Sequence, residues 1–487
     1  MNPDITLTRR VDKIVPDSRR VLLRLFMSSD PQRIVNIIGR ALSLTEEETA
    51  TEYAVITRDF KERHLDLESI LMRHYARVKP HIFTGKPLSK VRQLFIGALF
   101  TGEYSLESAA LFNPSIVPDP DQSGLPEGAL RFILSLRAVG EGHISSITFR
   151  SGVIDAGGLI TVDKPSRHVV APDTVPNPTY DKNSFTFKLH EMGFDNAHVD
   201  SILEQLGETF SLADLDKSVA QLNRRMRRKT HEEVRTLECV RWLAESNYEV
   251  SFSPKVTLSE RIIFPMSANE SNGIEDARFV RFVDDDGKIT YYATYTAYNG
   301  HVILPQLIET ENFLHFRVRT LNGRAVQNKG MALFPRRING RCAMISRQDD
   351  ENLFIMFSDN PHFWNDPVTL LRPTQPWEFV KIGNCGSPIE TEAGWLVITH
   401  GVGAMRRYCI GAILLDLNDP TRIIGHLKDP LISPAEAERE GYVPNVVYTC
   451  GAMLNRGELV IPYAISDSMS CIATVPLKEL IGALQMH

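Results

Sequence analysis

The chain has 487 residues, enough for two or three domains or for one large domain with additions. Its 54 basic and 60 acidic residues give a formal net charge of −6, and this near balance argues against a nucleic-acid or anionic-membrane partner. No stretch approaches about eighteen consecutive apolar residues, and no apolar run follows the charged N-terminus, so we expect neither a membrane span nor a secretory signal.

Residues 1–105 are predicted to form a helical region. Thr45 and Glu48 have the spacing of a capping box, and the apolar residues between Val91 and Leu99 recur at helical intervals. A module that packs on the main body or on a second subunit is the simplest interpretation, and we expect a homo-oligomer.

From residue 106 to 475, short β-branched and aromatic runs alternate with glycine-containing turns, the pattern of repeated hairpins. Five segments share a strand, turn and strand layout, and the last four start 54, 55 and 60 residues apart, near Ala277, Met331, Gly386 and Val446. Near-equal intervals of this length fit one four-stranded blade each. The sequence therefore predicts a mainly β fold, a five-bladed β-propeller. A β-sandwich is the alternative, but it would not readily explain the even period.

The first segment starts near Phe112, and its interval is longer than the others by about 110 residues, which predicts an insertion. Residues from about 190 to 247 have a helical pattern, with Val199, Ile202, Leu203 and Leu206 on one face. Residues 476–487 are predicted to form a short closing helix.

The six cysteines are spread along the chain without a CxxC pair, and most lie in apolar runs. This favours buried free thiols in a reducing compartment over disulfides or a zinc site, so we expect a cytoplasmic protein. No HExxH, GxSxG or His/Cys cluster is present, and we expect neither a metal nor an organic cofactor.

In a propeller, comparable positions of successive blades meet at one end of the central channel, so their polar residues belong to one site. Taken singly, each has an ordinary structural role, such as a turn for Asp276 or a core position for His400. Their mixture of acids and bases suits a hydroxyl-rich substrate together with an anion. The candidates are Asn113, Arg137, Asp276, Arg278, Tyr295, Tyr298, Lys329, Arg347, Lys381, His400, Tyr463 and Asp467.

Six motifs in order resemble glycoside hydrolase family 130, the β-mannoside phosphorylases and related β-mannosidases, over roughly residues 108–475. They are "GIEDARF", "NKGMALFPRRINGR", "KIGNCGSPIETEAGWLVITHGV", "YCIGAILLDLNDPTRIIG", "PLISPAEAEREGYVPNVVYTCG" and "LVIPYAISDS". The resemblance implies a five-bladed propeller. It also implies inverting phosphorolysis of terminal β-1,2- or β-1,4-mannosidic bonds, a glycosyltransferase-type reaction that releases α-mannose 1-phosphate.

The resemblance also implies residue roles, with inorganic phosphate as co-substrate and a β-mannoside oligosaccharide as partner. Asp276 is similar to the family's general acid, although Ala277 stands where the family usually has proline. Phosphate ligands are expected at Lys329, Arg347, Lys381 and His400. Mannosyl hydroxyls are expected at Asn113, Arg137 and Asp467, with further substrate contacts from Arg278, Tyr295, Tyr298 and Tyr463.

Two alternatives stay open. One is a β-mannosidase in which Glu275 or another carboxylate activates water in place of phosphate. The other is a propeller that binds sugars or acts as a scaffold without catalysis.

Overall fold

The computed structural model describes residues 5–175, 178–225, 230–298 and 303–486. Within these ranges the chain is mainly β, as predicted, with helices in an N-terminal group, in an insertion and near the C-terminus. No helix there is both long and apolar enough to cross a bilayer. All six cysteines fall inside the described ranges, and each is a buried free thiol.

The N-terminal group consists of the helices Pro31–Ser43, Glu46–Phe60, Leu67–Val78 and Lys90–Leu99. Thr45 and Glu48 form the predicted capping box at the start of the second helix, because each side chain accepts a hydrogen bond from the other residue's backbone N–H. A two-stranded sheet that the sequence did not predict joins Val21–Leu25 to Thr101–Ser105. Its strands lie on either side of the four helices, so no hairpin pattern marks them.

Five antiparallel sheet units follow one another along the chain. Unit 1 has the strands Ala110–Pro118, Leu130–Val139, Ser145–Ile154 and Ile160–Val162, and unit 2 has Gly273–Val283, Ile289–Tyr298, Ile303–Thr310 and His315–Thr320. Unit 3 has Ala332–Leu333, Cys342–Ser346, Leu353–Ser358 and Val368–Leu371, and unit 4 has Lys381–Asn384, Gly394–Val402, Tyr408–Leu415 and Ile423–His426. Unit 5 has Val447–Tyr448, Glu458–Ile465, Met469–Pro476 and, at its edge, Thr8–Arg9.

Shorter strands extend these units. Tyr248–Ser251 and Asp173–Thr174 continue unit 2. The other additions are Ile262–Ile263 in unit 1, Ile389–Thr391 and Gln485–Met486 in unit 4, and Met453–Asn455 in unit 5. Units 1 and 2 share one sheet through a single parallel pair, Ser145 with Gly273.

Apolar clusters fill the spaces between consecutive units. Units 1 and 2 share a cluster that includes Phe149 and Phe279, and Phe282 with Met344 belong to the cluster of units 2 and 3. The remaining clusters join Phe334 to Trp395 between units 3 and 4, Ile410 to Ile461 between units 4 and 5, and Val460 to Leu134 between units 5 and 1. The clusters therefore connect the units in a cyclic order, the fifth packing against the first.

The insertion contains the helices Lys182–Glu191, Ala197–Leu203, Leu212–Arg225 and His231–Glu245, with the paired strands Thr179–Asp181 and Thr209–Ser211. The predicted apolar face from Val199 to Leu206 is buried in a cluster that belongs to the insertion itself. Its first helix begins earlier than the predicted residue 190, because the aromatic residues of "KNSFTFKLHE" obscure a helical pattern. Residues 226–229 lie outside the described ranges. A helix Leu477–Ala483 follows unit 5. The division of the chain into domains stays a prediction.

Candidate active site

One cavity of about 400 Å³ is lined by residues of all five units. Eight predicted site residues lie in its wall, namely Asn113, Arg137, Asp276, Lys329, Arg347, Lys381, His400 and Asp467. Sequence reasoning missed seven more lining residues, Asn328, Asp350, Arg406, Tyr408, Val443, Val446 and Tyr448. The recurrence of polar residues in successive segments thus identified a set that the fold brings together.

Two β-bulges aim Asn113 and Asp276 into this cavity. Each residue lies where its strand loses register with its partner strand, and their φ angles are 48° and 55°. The left-handed conformation costs roughly 1–2 kcal/mol for most residues, but Asn and Asp tolerate it best. The Asn113 Nδ2 donates to Asp276 Oδ1 at 2.7 Å. The bulges therefore hold an amide and a carboxylate against each other at one fixed point.

Arg137 contacts both acids of the Glu275–Asp276 pair. Its guanidinium donates to Glu275 Oε1 at 2.8 Å and to Asp276 Oδ1 at 3.4 Å. Lys329 Nζ lies 3.6 Å from the other Glu275 oxygen. Glu275 is thus held between two cations, and among the described residues the cavity wall includes Asp276 but not Glu275.

The charge on Asp276 is set by opposing effects. Burial is the largest single effect and raises the pKa of this carboxyl, whereas the positive charges of Arg137 and Lys329 lower that pKa. Arg278 and the Asn113 hydrogen bond act in the same direction as those charges, and the pKa falls to about 2. Asp276 is therefore a carboxylate at neutral pH.

Asp467 is the second cavity carboxyl, and its environment acts in the opposite direction. Burial, followed by the negative charge of Asp276, raises its pKa to about 6, although Arg137 and Arg406 oppose the rise. Its φ of 51° is also left-handed. Two neighbouring carboxyls whose pKa values are driven apart are typical of sites that divide proton-holding roles.

A basic cluster lies on the side of units 3 and 4. The buried Arg347 donates through Nε to the Lys329 carbonyl oxygen at 3.1 Å, so it also fixes the backbone of that lysine. Asp350 joins this arginine to Lys381, with Asp350 oxygens 3.4 Å from Arg347 Nη1 and 2.9 Å from Lys381 Nζ. Arg347 and Lys381 thus form a basic cluster whose two positive charges are only partly balanced by one half-exposed carboxylate.

His400 lies buried beside this cluster in the neutral form. Burial and then the charge of Arg347 lower its pKa well below the ordinary value. Because a guanidinium can only donate, the 3.4 Å contact from Arg347 Nη1 makes His400 Nε2 an acceptor and leaves the ring proton on Nδ1. Tyr408 stacks on the ring with centroids 6.0 Å apart, and Tyr448 meets it edge-on at 4.9 Å. His400 therefore offers a fixed polar edge and no charge.

Arg278 is hydrogen-bonded to a residue of the cavity lining. It is buried, and it donates to the Tyr448 hydroxyl at 2.5 Å and to the Cys385 carbonyl at 3.3 Å. Within the described part of the chain, the cavity lining includes Tyr448 but not Arg278. Arg278 thus contacts a tyrosine of the cavity lining, and its own contact with substrate stays a prediction.

Three predicted tyrosines are not brought to the described cavity wall. Tyr295 is buried among apolar side chains, and its hydroxyl donates to Glu270 at 2.6 Å. Tyr463 is fully buried and donates to Glu438 at 2.7 Å. Tyr298 is half-buried at the end of its strand, next to residues 299–302 outside the described ranges. Successive side chains of a strand point to opposite faces of the sheet. The sequence alone did not show that Tyr295 and Tyr463 lie on the faces that pack into the core.

Of the missed lining residues, Asp350 had a usable sequence signal, whereas Tyr448 and Arg406 had none. Asp350 stands three residues after Arg347 in a turn, a spacing that allows the observed ion pair. Tyr448 lies in a strand of only two residues, Val447–Tyr448, so no periodicity marks the direction of its side chain. Arg406 has φ 55° in an exposed turn, a conformation that the sequence "GAMRRY" does not indicate.

Comparisons with known proteins agree on one class. A family model described as β-1,4-mannooligosaccharide phosphorylase matches residues 243–486. A 1,2-β-oligomannan phosphorylase of Thermoanaerobacter sp. (strain X514) is 32% identical over 231 residues, 45% of this chain and 75% of that protein. A β-1,2-mannobiose phosphorylase of Listeria innocua is 31% identical over 240 residues, 47% of this chain and 66% of that protein.

A third relative is a β-1,4-mannooligosaccharide phosphorylase of Ruminococcus albus, 30% identical over 172 residues, which are 33% of this chain and 51% of that protein. Among solved structures, the Listeria innocua β-1,2-mannobiose phosphorylase in complex with β-1,2-mannobiose gives a TM-score of 0.46 at 22% identity. That superposition covers 77% of this chain and 92% of the other.

Proposed function

The chain belongs to glycoside hydrolase family 130, and from this membership and its cavity we propose that it catalyses phosphorolysis of terminal β-mannosidic bonds in manno-oligosaccharides. The observation that carries the proposal is one cavity in which a hydrogen-bonded carboxylate, Asp276, faces a cluster of cations. Acid catalysis needs a carboxyl group that can carry a proton, and an anionic nucleophile needs cations to bind it.

We also propose that the five sheet units form a five-bladed propeller. The cyclic packing supports this arrangement, because unit 5 shares an apolar cluster with unit 1 as well as with unit 4. A cavity lined from all five units is what a propeller axis would provide.

In the proposed reaction, a phosphate oxygen attacks the anomeric carbon from the face opposite the bond that breaks. The new C–O bond replaces the glycosidic bond with inversion, giving α-mannose 1-phosphate and a shortened acceptor. Asp276 supplies the proton that the departing oxygen needs, passed through a mannosyl hydroxyl as the family resemblance implies. Asn113, Arg137 and Asp467 hold the sugar in reach, which limits the motion left before the transition state.

The basic cluster is the proposed phosphate site. Arg347 can donate two parallel hydrogen bonds to a phosphate, and Lys381 adds a point charge. Lys329 stands between this cluster and Glu275, so phosphate would share it with the acid pair. His400, being neutral, contributes a hydrogen bond and a stacked wall.

Hydrolysis is the less supported alternative. A water nucleophile needs a carboxylate as base; Glu275 is occupied by Arg137 and Lys329, which leaves Asp467 as the cavity carboxyl for that role. An already anionic phosphate needs cations and no base, and the cavity supplies cations.

The test is to incubate the full chain with β-1,2- and β-1,4-linked manno-oligosaccharides, with and without inorganic phosphate. We expect mannose 1-phosphate only when phosphate is present, and its anomer, read by NMR, to be α. Free mannose released at the same rate without phosphate would refute phosphorolysis, and the preferred oligosaccharide would define the linkage.

A further inference from the structure

One segment connects the helical insertion to the basic cluster. Residues 321–330, called the strap here, run from the last strand of unit 2 to the first strand of unit 3 and carry Asn328 and Lys329. The insertion contributes no residue to the described cavity lining, so any role in the site must be indirect.

At its C-terminal end the strap is hydrogen-bonded to Arg347, a residue of the cavity lining. Asn328 Nδ2 donates to the Arg347 carbonyl at 3.4 Å, and Arg347 Nε donates to the Lys329 carbonyl at 3.1 Å. Asn328 has φ 62°, and Gly330 has φ 93°. These two hydrogen bonds run in opposite directions between the strap and Arg347. The position of Lys329 thus depends on the path by which the strap reaches Arg347.

At its near end the strap is held by the helix Lys182–Glu191 of the insertion. Lys188 Nζ donates to the Leu321 carbonyl at 3.0 Å, and Glu191 Oε1 accepts from the Gly323 backbone N–H at 2.5 Å. Lys188 and Glu191 also pair with each other at 3.2 Å. Two side chains one helical turn apart therefore bind two backbone groups of the strap.

These contacts hold the strap in place. Gly323 has φ 109°, and a Cβ there would collide with the Trp364 carbonyl oxygen, so the chain turns sharply in a crowded position. A buried backbone N–H without a partner is costly, so loss of the Glu191 acceptor favours a shifted strap. A cavity of about 130 Å³, lined in part by Lys188 and Asn322, lies beside this contact.

We propose that Lys188 and Glu191 of the insertion are positioning residues that set Lys329 in the catalytic cavity by holding the strap at its start. The proposal rests on the proposed function only for its kinetic readout. It gives the insertion a defined task, which is to fix the spacing between Lys329 and the Arg347 cluster.

The experiment compares Glu191→Ala and Glu191→Gln in the full chain. The glutamine keeps an acceptor oxygen for Gly323, whereas alanine removes it. Ser218→Ala is the matched control, because it removes a buried 2.8 Å hydrogen bond inside the insertion that does not reach the strap. Hydrogen exchange of residues 321–330 and steady-state kinetics in phosphate are measured for all three.

For Glu191→Ala we expect faster exchange in the strap and a KM for phosphate raised about tenfold, with kcat changed less than about threefold. Ser218→Ala should stay near the parent chain in both readouts, and Glu191→Gln, which keeps an acceptor for Gly323 but loses the ion pair with Lys188, should lie between the parent chain and Glu191→Ala. Unchanged strap exchange in Glu191→Ala, or an equal increase in Ser218→Ala, would overturn the proposal. If the parent chain shows no phosphate dependence, the proposed function fails, and the exchange data still decide whether the insertion holds the strap.

Discussion

Replacing Asp467 by asparagine should stabilise the protein at high pH and leave its stability almost unchanged at low pH. The carboxyl has an ordinary pKa of 3.8, which burial and the charge of Asp276 raise to about 6. The folded state therefore binds this proton more tightly than the unfolded state does. The penalty for ionising Asp467 is absent below about pH 3, grows between about pH 4 and pH 6 and is nearly complete above pH 6.

The magnitude follows from the separation of the two pKa values. One pH unit corresponds to about 1.4 kcal/mol, so roughly two units give about 3 kcal/mol at pH 8. Asparagine keeps the shape of the side chain and removes the charge. The difference in unfolding free energy between variant and parent should thus increase from about 1 kcal/mol at pH 4.5 to about 3 kcal/mol at pH 8.

The assay is urea unfolding of both proteins at pH 4.5, 6 and 8, with Asp350→Asn as a control of opposite sign. Burial raises the pKa of Asp350, but its contacts with Lys381 and Arg347 lower the pKa overall. Its stabilising effect is therefore present above about pH 4 and lost as pH falls, so its asparagine variant should lose stability at neutral pH. A pH-independent difference for Asp467→Asn would refute the assignment of a raised pKa to Asp467.

Two further predictions concern the proposed reaction. Asp276→Asn should lower turnover by at least about a hundredfold while sugar binding persists, because the amide keeps the shape but cannot supply the proton; a loss of only a few fold would contradict the role of Asp276. Phosphate should raise the unfolding temperature of the parent chain, by the equivalent of about 2.7 kcal/mol at a hundred times its Kd. Lys381→Met should lose most of that increase and Lys217→Met, on the exposed insertion surface, none of it; the absence of any shift in the parent chain would count against the basic cluster.

The sequence predicted the composition of the site better than its geometry. The repeated spacing placed polar residues of successive segments together, and eight of them line the cavity. For Tyr295 and Tyr463, the repeated spacing identifies the segment that carries each tyrosine but not the face of the strand on which it lies. Both tyrosines have buried carboxylate partners, Glu270 and Glu438, which are distant in sequence and carry no pattern.

The bulges were equally beyond sequence reasoning. The sequence "GIEDARF" suggests a charged turn, but the segment lies in the strand Gly273–Val283. A register break in that strand turns Asp276 toward the cavity and leaves Glu275 paired with Arg137. Choosing between the two acids therefore depends on a local backbone irregularity. The strand is otherwise regular, and Ala277 packs into the apolar cluster between units 1 and 2.

The low pKa of Asp276 constrains the order of events in the proposed reaction. A general acid must carry a proton when the glycosidic bond breaks, yet Arg137 and Lys329 keep this carboxyl ionised. An anionic phosphate bound at the basic cluster would pair with Lys329. Its negative charge would offset the positive charges of Lys329 and Arg137 and so raise the pKa of Asp276. Phosphate then has two effects, as nucleophile and as the charge that allows the acid to be protonated. On this reasoning the carboxyl becomes a competent acid only after phosphate has bound, and bond cleavage without phosphate is disfavoured by the electrostatics of the cavity itself.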